Sequence, residues 1–565
     1  MAPSNPNLPP RSPEDEPWWT RTSIYQVYPR SFADSNGDGI GDLPGVIAHL
    51  DHVADLGVDT LWVSPFFSSP QADFGYDVTD YCGVAPEYGT LEDVDALIAG
   101  AHQRGLKVMF DLVLNHTSDQ HPWFVSSRSG KSGPKADWYI WHDGRSGGRR
   151  GRRPPNNWRS AMEVSSTSAW QWSPERQQWY LASFLPFQPD LNWRHPEVRE
   201  AMFEAVRFWL RRGVDGFRLD IFGSIMKDPR WRDNPLEPSL GGGAIARIWK
   251  RKFTENTPDN VQLAKDLRAV CAEFGDPERV LLGEVFGDGA TLRGFLGTPH
   301  EPGLHLVFLF DFLAYTYSAA FFRDRISEYE RDYPAPLQPT YVLENHDRSR
   351  LMDRVGGDLD KARVLAVLLC TLRGVPTLYQ GQEVGMPNTY LPLRTARDPI
   401  ARTYFRWVPE VVSKRLAERI NRDEVRTPMQ WTAAENAGFT QPGVRPWLPL
   451  GKHVATRNVA TQTGDPTSML ELYRSLLRLR RERPALHRGA LQLVPAGEDV
   501  VAFTRSTSHD RHPGGDVFVA VNLGRSPVSV RVPMPAAQVL VTSNRAAALA
   551  GGTLTLPPDS GAVVG

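Results

Sequence analysis

Acidic side chains recur in four short motifs of the chain. Asp111 opens DLVLNH, Asp220 closes GFRLD, Glu284 is the acid of GEV, and Asp347 closes ENHD. Each motif contains or follows a short apolar run typical of a buried strand. One such acid is usually a helix cap or a member of an ion pair. Four sets at the ends of predicted strands indicate a reactive site.

These residue types suit the cleavage of a glycosidic bond. Its oxocarbenium-like transition state needs one carboxylate as nucleophile and one carboxylic acid that protonates the leaving oxygen. Arg218 stands two residues before Asp220, on the same face of a strand, so its guanidinium can hold Asp220 ionised. We expect Glu284 to keep its proton and Asp347 to stabilise positive charge or bind ring hydroxyls. Two histidines suit as donors to sugar hydroxyls: His116 and His346.

The elements that must position these groups alternate between strands and helices from Trp18 onward. Eight strands with helical connections predict an α/β fold, a parallel (β/α)8 TIM barrel, in which chemistry lies at the carboxyl ends of the strands. The strands are predicted at 23–28, 60–64, 107–113, 216–221, 279–284, 305–311, 340–344 and 376–380.

Changes in composition and hydrophobic pattern along the 565 residues predict the domain boundaries. Residues 1–17, with six prolines and an acidic run, are predicted to be a tail. The catalytic barrel is assigned to 18–114 and 190–486. Residues 115–189, rich in Gly, Pro, Ser, Arg and Trp, are predicted to be a subdomain inserted after the third strand. Short alternating runs predict a C-terminal antiparallel β-sandwich at 487–565.

Composition excludes several classes of protein. The 64 Lys and Arg balance 65 Asp and Glu, so overall charge gives no reason to expect nucleic acid or an acidic membrane surface as partner. The three cysteines are far apart and form neither a disulfide framework nor a zinc spacing. The N-terminus lacks the apolar core of a signal peptide, and the apolar runs predict no membrane span. We therefore expect a cytoplasmic protein, a monomer or a homodimer.

The four motifs, in this order and at these intervals, resemble those of the α-amylase family, glycoside hydrolase family 13. The resemblance extends from WWTRTSIYQVYPRSF near Trp18 to the C-terminal domain. QPDLNW at 188–193 and RTPMQW at 426–431 are similar to the oligo-1,6-glucosidase and α-glucosidase branch. The resemblance implies a retaining glycosidase. Its catalytic carboxylates would be the nucleophile Asp220, the acid/base Glu284 and the transition-state stabiliser Asp347.

The resemblance also implies a pocket around the terminal glucose of a short α-glucoside such as maltose, isomaltose or sucrose, hence exo-action. Residues that match its walls are Asp73 and Tyr76 of DFGYD, His116, Arg218, His346 and an arginine of NRDEVRTPMQW, for which we favour Arg426 over Arg422. Tyr76 is expected to stack on the sugar.

Ile221 follows Asp220 on the predicted fourth strand, where its side chain can shape the pocket for the leaving group. In the resembling branch, a small residue here accompanies α-1,4 substrates and a β-branched one accompanies α-1,6 substrates. Isoleucine replaces the usual valine. We expect isomaltose-type linkages to be accepted at least as well as maltose.

The same residues are compatible with two other functions. A glucosyltransferase or isomerase would use the same covalent intermediate, with a sugar instead of water attacking it. A non-catalytic binding protein of this fold is expected to have lost the carboxylates and to carry a membrane anchor, whereas here all three carboxylates are present.

A Gly-rich turn after the first strand presents oxygen atoms at alternate positions. The side chains of Asp34, Asn36, Asp38 and Asp42 and the carbonyl of Ile40 are the first part of a calcium loop. Gly45 stands where an EF-hand has its bidentate glutamate, so the turn is not an EF-hand. It resembles the structural calcium loop of the glucosidase branch, with Mg²⁺ as an alternative ion and a metal-free polar turn as the other reading.

Overall fold

Eight parallel strands form a closed barrel in the computed structural model, which describes residues 17–147, 152–162, 167–239, 247–405, 408, 420–507 and 515–565. Each strand pairs with the next along the chain, and the last pairs with the first, which confirms the predicted barrel. The predicted tail lies outside the described residues up to position 16. The strands are β1 Ile24–Val27, β2 Thr60–Val63, β3 Lys107–Leu112, β4 Gly216–Leu219, β5 Val280–Gly283, β6 Leu306–Leu309, β7 Thr340–Val342 and β8 Val375–Tyr379.

The strands are buried on both faces, because helices cover the outside and side chains fill the inside. This explains why they read as continuous apolar runs. The inward-facing core is a separate cluster of large side chains that includes Ile24, Trp62, Met109, Leu282, Leu306 and Phe308.

Helices connect the strands on the outside of the barrel. The predicted helix 43–56 is two helices separated at His49, whose backbone leaves the helical region at φ −113° and ψ 14°. A short helix between β5 and β6, only eight residues long, escaped the sequence analysis. The barrel helices are Leu43–Ala48, Leu50–Leu56, Leu91–Gln103, Pro196–Arg211, Pro258–Ala272, Gly289–Leu296, Ala319–Asp332, Leu351–Arg354, Leu359–Thr371 and Met469–Glu482.

The chain between β3 and helix Pro196–Arg211 leaves the barrel pattern, as predicted. It contains helix Pro122–Arg128 and a three-stranded antiparallel sheet of Trp141–His142, Gln178–Leu181 and Trp170–Ser173. A hairpin of Leu236–Ser239 and Arg247–Trp249 follows β4.

Two antiparallel sheets at the C-terminus share one apolar core, which confirms the predicted β-sandwich. Two of its strands, Ala548–Ala550 and Ser560–Val564, were not predicted, because Ala- and Gly-rich runs carry little of the β-branched signal. The other strands are Ala490–Leu493, Val500–Ser506, Val517–Asn522, Val528–Arg531, Val539–Thr542 and Thr553–Leu556.

Candidate active site

The polar motifs meet at the carboxyl ends of the barrel strands. Asp111 lies within β3 and Arg218 within β4, while Asp220 and Glu284 directly follow β4 and β5. The backbone N–H of Glu284 donates to Leu219 O at 2.9 Å, so the pairing of β4 with β5 continues past the strand ends. Neighbouring strands thus place the two carboxylates side by side.

Arg218 lies at the centre of the cluster and is 2% exposed. Its Nη1 donates to Asp111 Oδ1 and to Asp220 Oδ1, both at 2.8 Å. Its Nη2 donates to Glu284 Oε2. The predicted pairing of Arg218 with Asp220 is therefore present, and the same guanidinium also binds the acid on the next strand.

Burial raises the pKa of Asp220 well above its usual value, and the nearby charges of Glu284 and Asp111 act in the same direction. Arg218 opposes them by favouring the ionised carboxylate. Burial also raises the pKa of Asp111, to about 6. The guanidinium is thus the group that favours ionisation of Asp220 in this dry environment.

Asp347 lies five residues beyond β7 and contacts three basic side chains. Its Oδ1 accepts from Arg426 Nη2 at 2.8 Å and from Arg422 Nη1 at 3.4 Å, and its Oδ2 lies 3.2 Å from His346 Nε2. Burial would raise the pKa of Asp347, but these neighbours hold it well below its usual value. Asp347 is therefore ionised at neutral pH.

His346 and Tyr76 form a second polar unit beside the carboxylates. The Tyr76 hydroxyl is 2.6 Å from His346 Nε2, and the two rings are parallel, with centroids 5.6 Å apart. Gln26 Nε2 donates to His346 Nδ1 at 2.7 Å, which leaves the ring proton on Nε2. Burial lowers the pKa of His346 to about 3, so the ring is neutral at neutral pH.

His116 lies on the other side of Tyr76. Its Nε2 is 3.0 Å from the Tyr76 carbonyl oxygen, and burial lowers its pKa to about 4. The ring of Phe184 lies 5.5 Å from that of His116, an aromatic neighbour that the sequence analysis did not identify. The only sequence feature that could have drawn attention to Phe184 is its position four residues before QPDLNW.

Asp73 joins this cluster through two partners. Its Oδ1 accepts from Arg422 Nη2 at 2.7 Å, and its Oδ2 accepts from Gln188 Nε2 at 3.0 Å. Gln188 is the first residue of QPDLNW, so that motif reaches Asp73 through its glutamine. The structure brings Asp73 together with the other predicted wall residues.

The two arginines of NRDEVRTPMQW occupy different positions. The side chain of Arg426 has no exposed surface, and its Nε donates to the His346 carbonyl oxygen at 2.9 Å. The side chain of Arg422 is 11% exposed and connects Asp73 with Asp347. Both guanidiniums therefore lie beside Asp347, Arg426 at 2.8 Å and Arg422 at 3.4 Å, and Arg422 also contacts Asp73.

Ile221 is not part of β4, which ends at Leu219, so its placement on a strand was wrong. Its backbone has φ 40° and ψ 40°, in the left-handed region. Its side chain is partly exposed, and its N–H donates to Glu284 Oε2 at 3.1 Å. A tight turn, rather than an extended strand, directs this side chain.

The Asp34–Asp42 loop curls through hydrogen bonds to its own backbone. Asp34 Oδ1, Asn36 Oδ1 and Asp38 Oδ1 each accept the N–H two residues on, at 3.1, 2.9 and 2.8 Å. Asp42 Oδ1 caps helix Leu43–Ala48 by accepting from Gly45 N. The described residues contain no group of three or more His, Cys, Asp or Glu side chains that could hold a metal ion. The remaining oxygens that the sequence offers in this loop are those of Asn36 and the Ile40 carbonyl.

Within the described ranges, none of the helices is both long and apolar enough to cross a bilayer. The three cysteines are free, as their spacing predicted.

Comparison with known proteins agrees with this geometry. The family model for the α-amylase catalytic domain matches residues 26–489, and a domain of unknown function, DUF3459, matches 495–563. A probable alpha-glucosidase of Rhizobium meliloti (strain 1021) is 41% identical over 536 residues, 92% of each chain. An oligo-1,6-glucosidase of Parageobacillus thermoglucosidasius is 35% identical over 520 residues, 87% of this chain and 89% of that relative.

Solved structures of similar chains include an alpha-glucosyl transfer enzyme and a trehalulose synthase. The alpha-glucosyl transfer enzyme XgtA is 40% identical with a TM-score of 0.86, covering 97% of this chain and 99% of its own. The trehalulose synthase MutB from Pseudomonas mesoacidophila MX-45 is 33% identical with a TM-score of 0.82, covering 97% and 99%. The chain belongs to the α-amylase family of glycoside hydrolases, on the branch of the α-glucosidases and oligo-1,6-glucosidases.

Proposed function

We propose that this protein is a retaining, exo-acting α-glucosidase that hydrolyses terminal α-glucosidic bonds of short oligosaccharides. The observation that carries the proposal is the guanidinium of Arg218, which binds Asp220 and Glu284 at once. Asp220 and Glu284 follow adjacent strands and bind the two nitrogens of one guanidinium, which supports the short carboxyl separation that characterises retention.

In the first step, a carboxylate oxygen of Asp220 attacks C1 of the terminal glucose. The C1–O bond breaks, and the leaving oxygen takes the proton of Glu284. In the second step, Glu284 takes a proton from water, whose oxygen attacks C1 and releases Asp220. Asp347, ionised by its arginine neighbours, would stabilise the positive charge that develops on the sugar ring.

The pocket walls would bind a single terminal glucose. His116 and His346 are neutral at neutral pH, so they line the site without adding charge. Their ring N–H groups face Tyr76 in this structure, and a sugar hydroxyl would share or displace the contact of His346 Nε2 with the Tyr76 hydroxyl. Asp73 and Arg422 would bind further hydroxyls. Tyr76 packs parallel to His346 and is 5% exposed, so it would meet the sugar with a small part of its ring.

Ile221 is proposed to set linkage preference from the leaving-group side of this pocket. Its turn directly follows Asp220, and its side chain is partly exposed. A bulky β-branched side chain there would favour the more flexible α-1,6 linkage, although the effect of a methyl or two is only about 1–3 kcal/mol.

A glucosyltransferase or sucrose isomerase is the second candidate. The observation in its favour is that a glucosyl transfer enzyme and a trehalulose synthase resemble nearly the whole chain. Both reactions would pass through the same glucosyl-enzyme, and the attacking hydroxyl would come from a sugar.

Initial rates on maltose, isomaltose, sucrose, trehalose and 4-nitrophenyl α-glucoside, with products identified with and without added acceptor, test these functions. Free glucose as the main product of maltose or isomaltose supports hydrolysis. Mainly transferred or isomerised sugar at low substrate concentration would instead identify the second function. Asp220→Asn should abolish all of these activities.

The Asp34–Asp42 loop is proposed to bind a structural Ca²⁺, or Mg²⁺ in its place. Support comes from the oxygen atoms at alternate positions and from the turns that their side-chain-to-backbone hydrogen bonds form. A bound ion would tie down the connection after β1 and would supply no chemistry to the sugar.

A further inference from the structure

The residue after the proposed nucleophile has an unfavourable backbone conformation. Ile221 has φ 40° and ψ 40°, a region that β-branched residues rarely adopt because their side chains crowd the backbone there. Strain of this kind persists only where surrounding contacts impose it, and it is concentrated at functional sites. The contacts of Ile221 therefore indicate what the strain achieves.

The left-handed turn directs a backbone N–H onto the proposed acid. Ile221 N donates to Glu284 Oε2 at 3.1 Å, and Arg218 Nη2 donates to the same oxygen. Phe222 N donates to the Glu284 carbonyl oxygen at 2.8 Å. Within the described part of the chain, every hydrogen bond to the Glu284 carboxyl reaches Oε2. Since an oxygen that accepts two N–H groups is a poor site for a proton, the proton is left to Oε1.

A second left-handed residue holds this turn against β5. Asn256 has φ 53°, a conformation that asparagine tolerates. Its N–H donates to Gly223 O at 2.7 Å, and its Nδ2 donates to Phe286 O at 2.7 Å. Gly223 is three residues after Asp220, and Phe286 is two residues after Glu284. One asparagine thus joins the segments that follow the two carboxylates.

The fit around Asn256 is tight. Its Oδ1 is buried and has no hydrogen-bond partner among the described residues. A Cβ added at Gly223 would lie 2.4 Å from this oxygen, so only glycine leaves room for the amide. A side chain at position 223 would therefore displace the asparagine amide, whose Nδ2 is directed at Phe286.

We propose that Asn256 is a positioning residue that, together with the strained turn at Ile221, fixes the Glu284 carboxyl so that Oε1 carries the proton for the leaving oxygen. The proposal rests on the roles proposed above for Asp220 and Glu284. When the C1–O bond breaks, the proton passes from Glu284 Oε1 to the leaving glycosidic oxygen. The electron pair of the O–H bond stays on Oε1, which leaves Glu284 as a carboxylate. A carboxyl free to rotate would present the proton less often.

Asn256→Gly tests the side-chain link, because glycine keeps the left-handed backbone and the N–H to Gly223. The readout is kcat/KM, which reports glycosylation, on isomaltose and on α-glucosyl fluoride, whose leaving group needs no proton. We expect about a tenfold loss on isomaltose and less than about a twofold loss on the fluoride, a part of the roughly 10²–10⁴-fold effect of a whole acid catalyst.

Asn436→Gly is the matched control. Asn436 is also left-handed, with φ 54°, and its Nδ2 bridges Gln441 O and Val444 O at 2.8 Å each, in a loop without contact to the carboxylates. We expect its two kcat/KM values to keep the wild-type ratio.

Gly223→Ala attacks the same link from the other side, since its Cβ would displace the Asn256 amide. It should give the same selective loss, and the double variant Gly223→Ala, Asn256→Gly should be no worse than either single one, because the link is lost only once.

If the isomaltose-to-fluoride ratio of kcat/KM in Asn256→Gly equals that of the wild type, the proposal is overturned. Glu284→Gln separates this outcome from failure of the proposed function. If Glu284 is the acid, its variant loses isomaltose activity far more than fluoride activity. If Glu284→Gln also shows no selectivity, the role of Glu284 itself is wrong.

Discussion

Replacement of Arg422 by glutamine should impair catalysis by weakening the positive charge beside Asp347. Arg422 Nη1 lies 3.4 Å from Asp347 Oδ1, and two unit charges at that distance attract by about 5 kcal/mol at an effective dielectric constant of about 20. Arg426 remains at 2.8 Å, and water can enter the space left, so we expect about half of this attraction to be lost. About 2.5 kcal/mol corresponds to roughly 70-fold in kcat/KM.

The assay is kcat/KM on maltose and isomaltose, with a thermal melt of each variant. Arg422 Nε also binds the fully buried Asp398 at 2.9 Å, so Arg422→Gln should be less stable as well. Asp398→Asn is the control, because it removes that ion pair and keeps the cation beside Asp347. Arg422→Lys keeps the positive charge but loses the forked N–H donors of the guanidinium. Its kcat/KM should lie between those of the wild type and Arg422→Gln.

Arg426→Gln should lower both kcat/KM and stability, because it removes the 2.8 Å contact with Asp347 and the buried bond to the His346 carbonyl beside the ring of Tyr28, 5.2 Å from its guanidinium carbon. If a folded Arg422→Gln stayed within threefold of wild type, the contribution of Arg422 to the charge at Asp347 would be refuted.

Four further predictions follow from the site. Proton NMR of early hydrolysis should show α-glucose first, Asp220→Asn should be folded and inactive, and β-glucose as first product would contradict retention. Chelation should lower the melting temperature more than the low-temperature rate if the Asp34–Asp42 loop binds a structural ion; an unchanged melt with immediate loss of activity would indicate a catalytic ion. Ile221→Ala should shift the isomaltose-to-maltose ratio of kcat/KM toward maltose, within about 10- to 200-fold, and an unmoved ratio would assign selectivity elsewhere. Since burial lowers the pKa of His346 from about 6.5 to about 3, the unfolded chain binds a proton there between those pH values that the folded chain does not, and stability falls as pH drops through that range. His346→Gln should therefore flatten the decline by about 1.4 kcal/mol per pH unit near pH 5, measured by urea unfolding, and an equal slope in both proteins would contradict the buried neutral histidine.

The barrel and the carboxylate cluster could be predicted from sequence because both depend on short-range periodicity. Apolar runs of strand length alternate with helical patterns, and a parallel barrel collects the carboxyl ends of all its strands on one face. Side chains two apart on a strand share a face, which predicts Arg218 beside Asp220. Strands and helices with weak signals, such as Gly289–Leu296, were missed because little apolar periodicity marks them.

The residues that complete the site come from loops, where no such rule applies. Gln188 and Arg422 reach Asp73 from segments 115 and 349 residues away, and only the folded backbone brings them together. Both belong to recognisable motifs, so the motif located the segment but not the side chain. Sequence alone could not show that Arg422 and Arg426, four positions apart in an irregular turn, both reach Asp347 while Arg422 also reaches Asp73.

Backbone conformation is the property that the sequence conceals most at this site. The apolar run 216–221 predicts Ile221 at the end of a strand, whereas its left-handed turn is a conformation that β-branched side chains disfavour. The hydrogen bonds of Glu284 and the packing of Asn256 impose that turn, and both depend on long-range contacts between β4, β5 and the segment before helix Pro258–Ala272. A strained residue is unexpected from its local sequence, and for that reason the departure of Ile221 from strand geometry directs attention to the orientation of the acid.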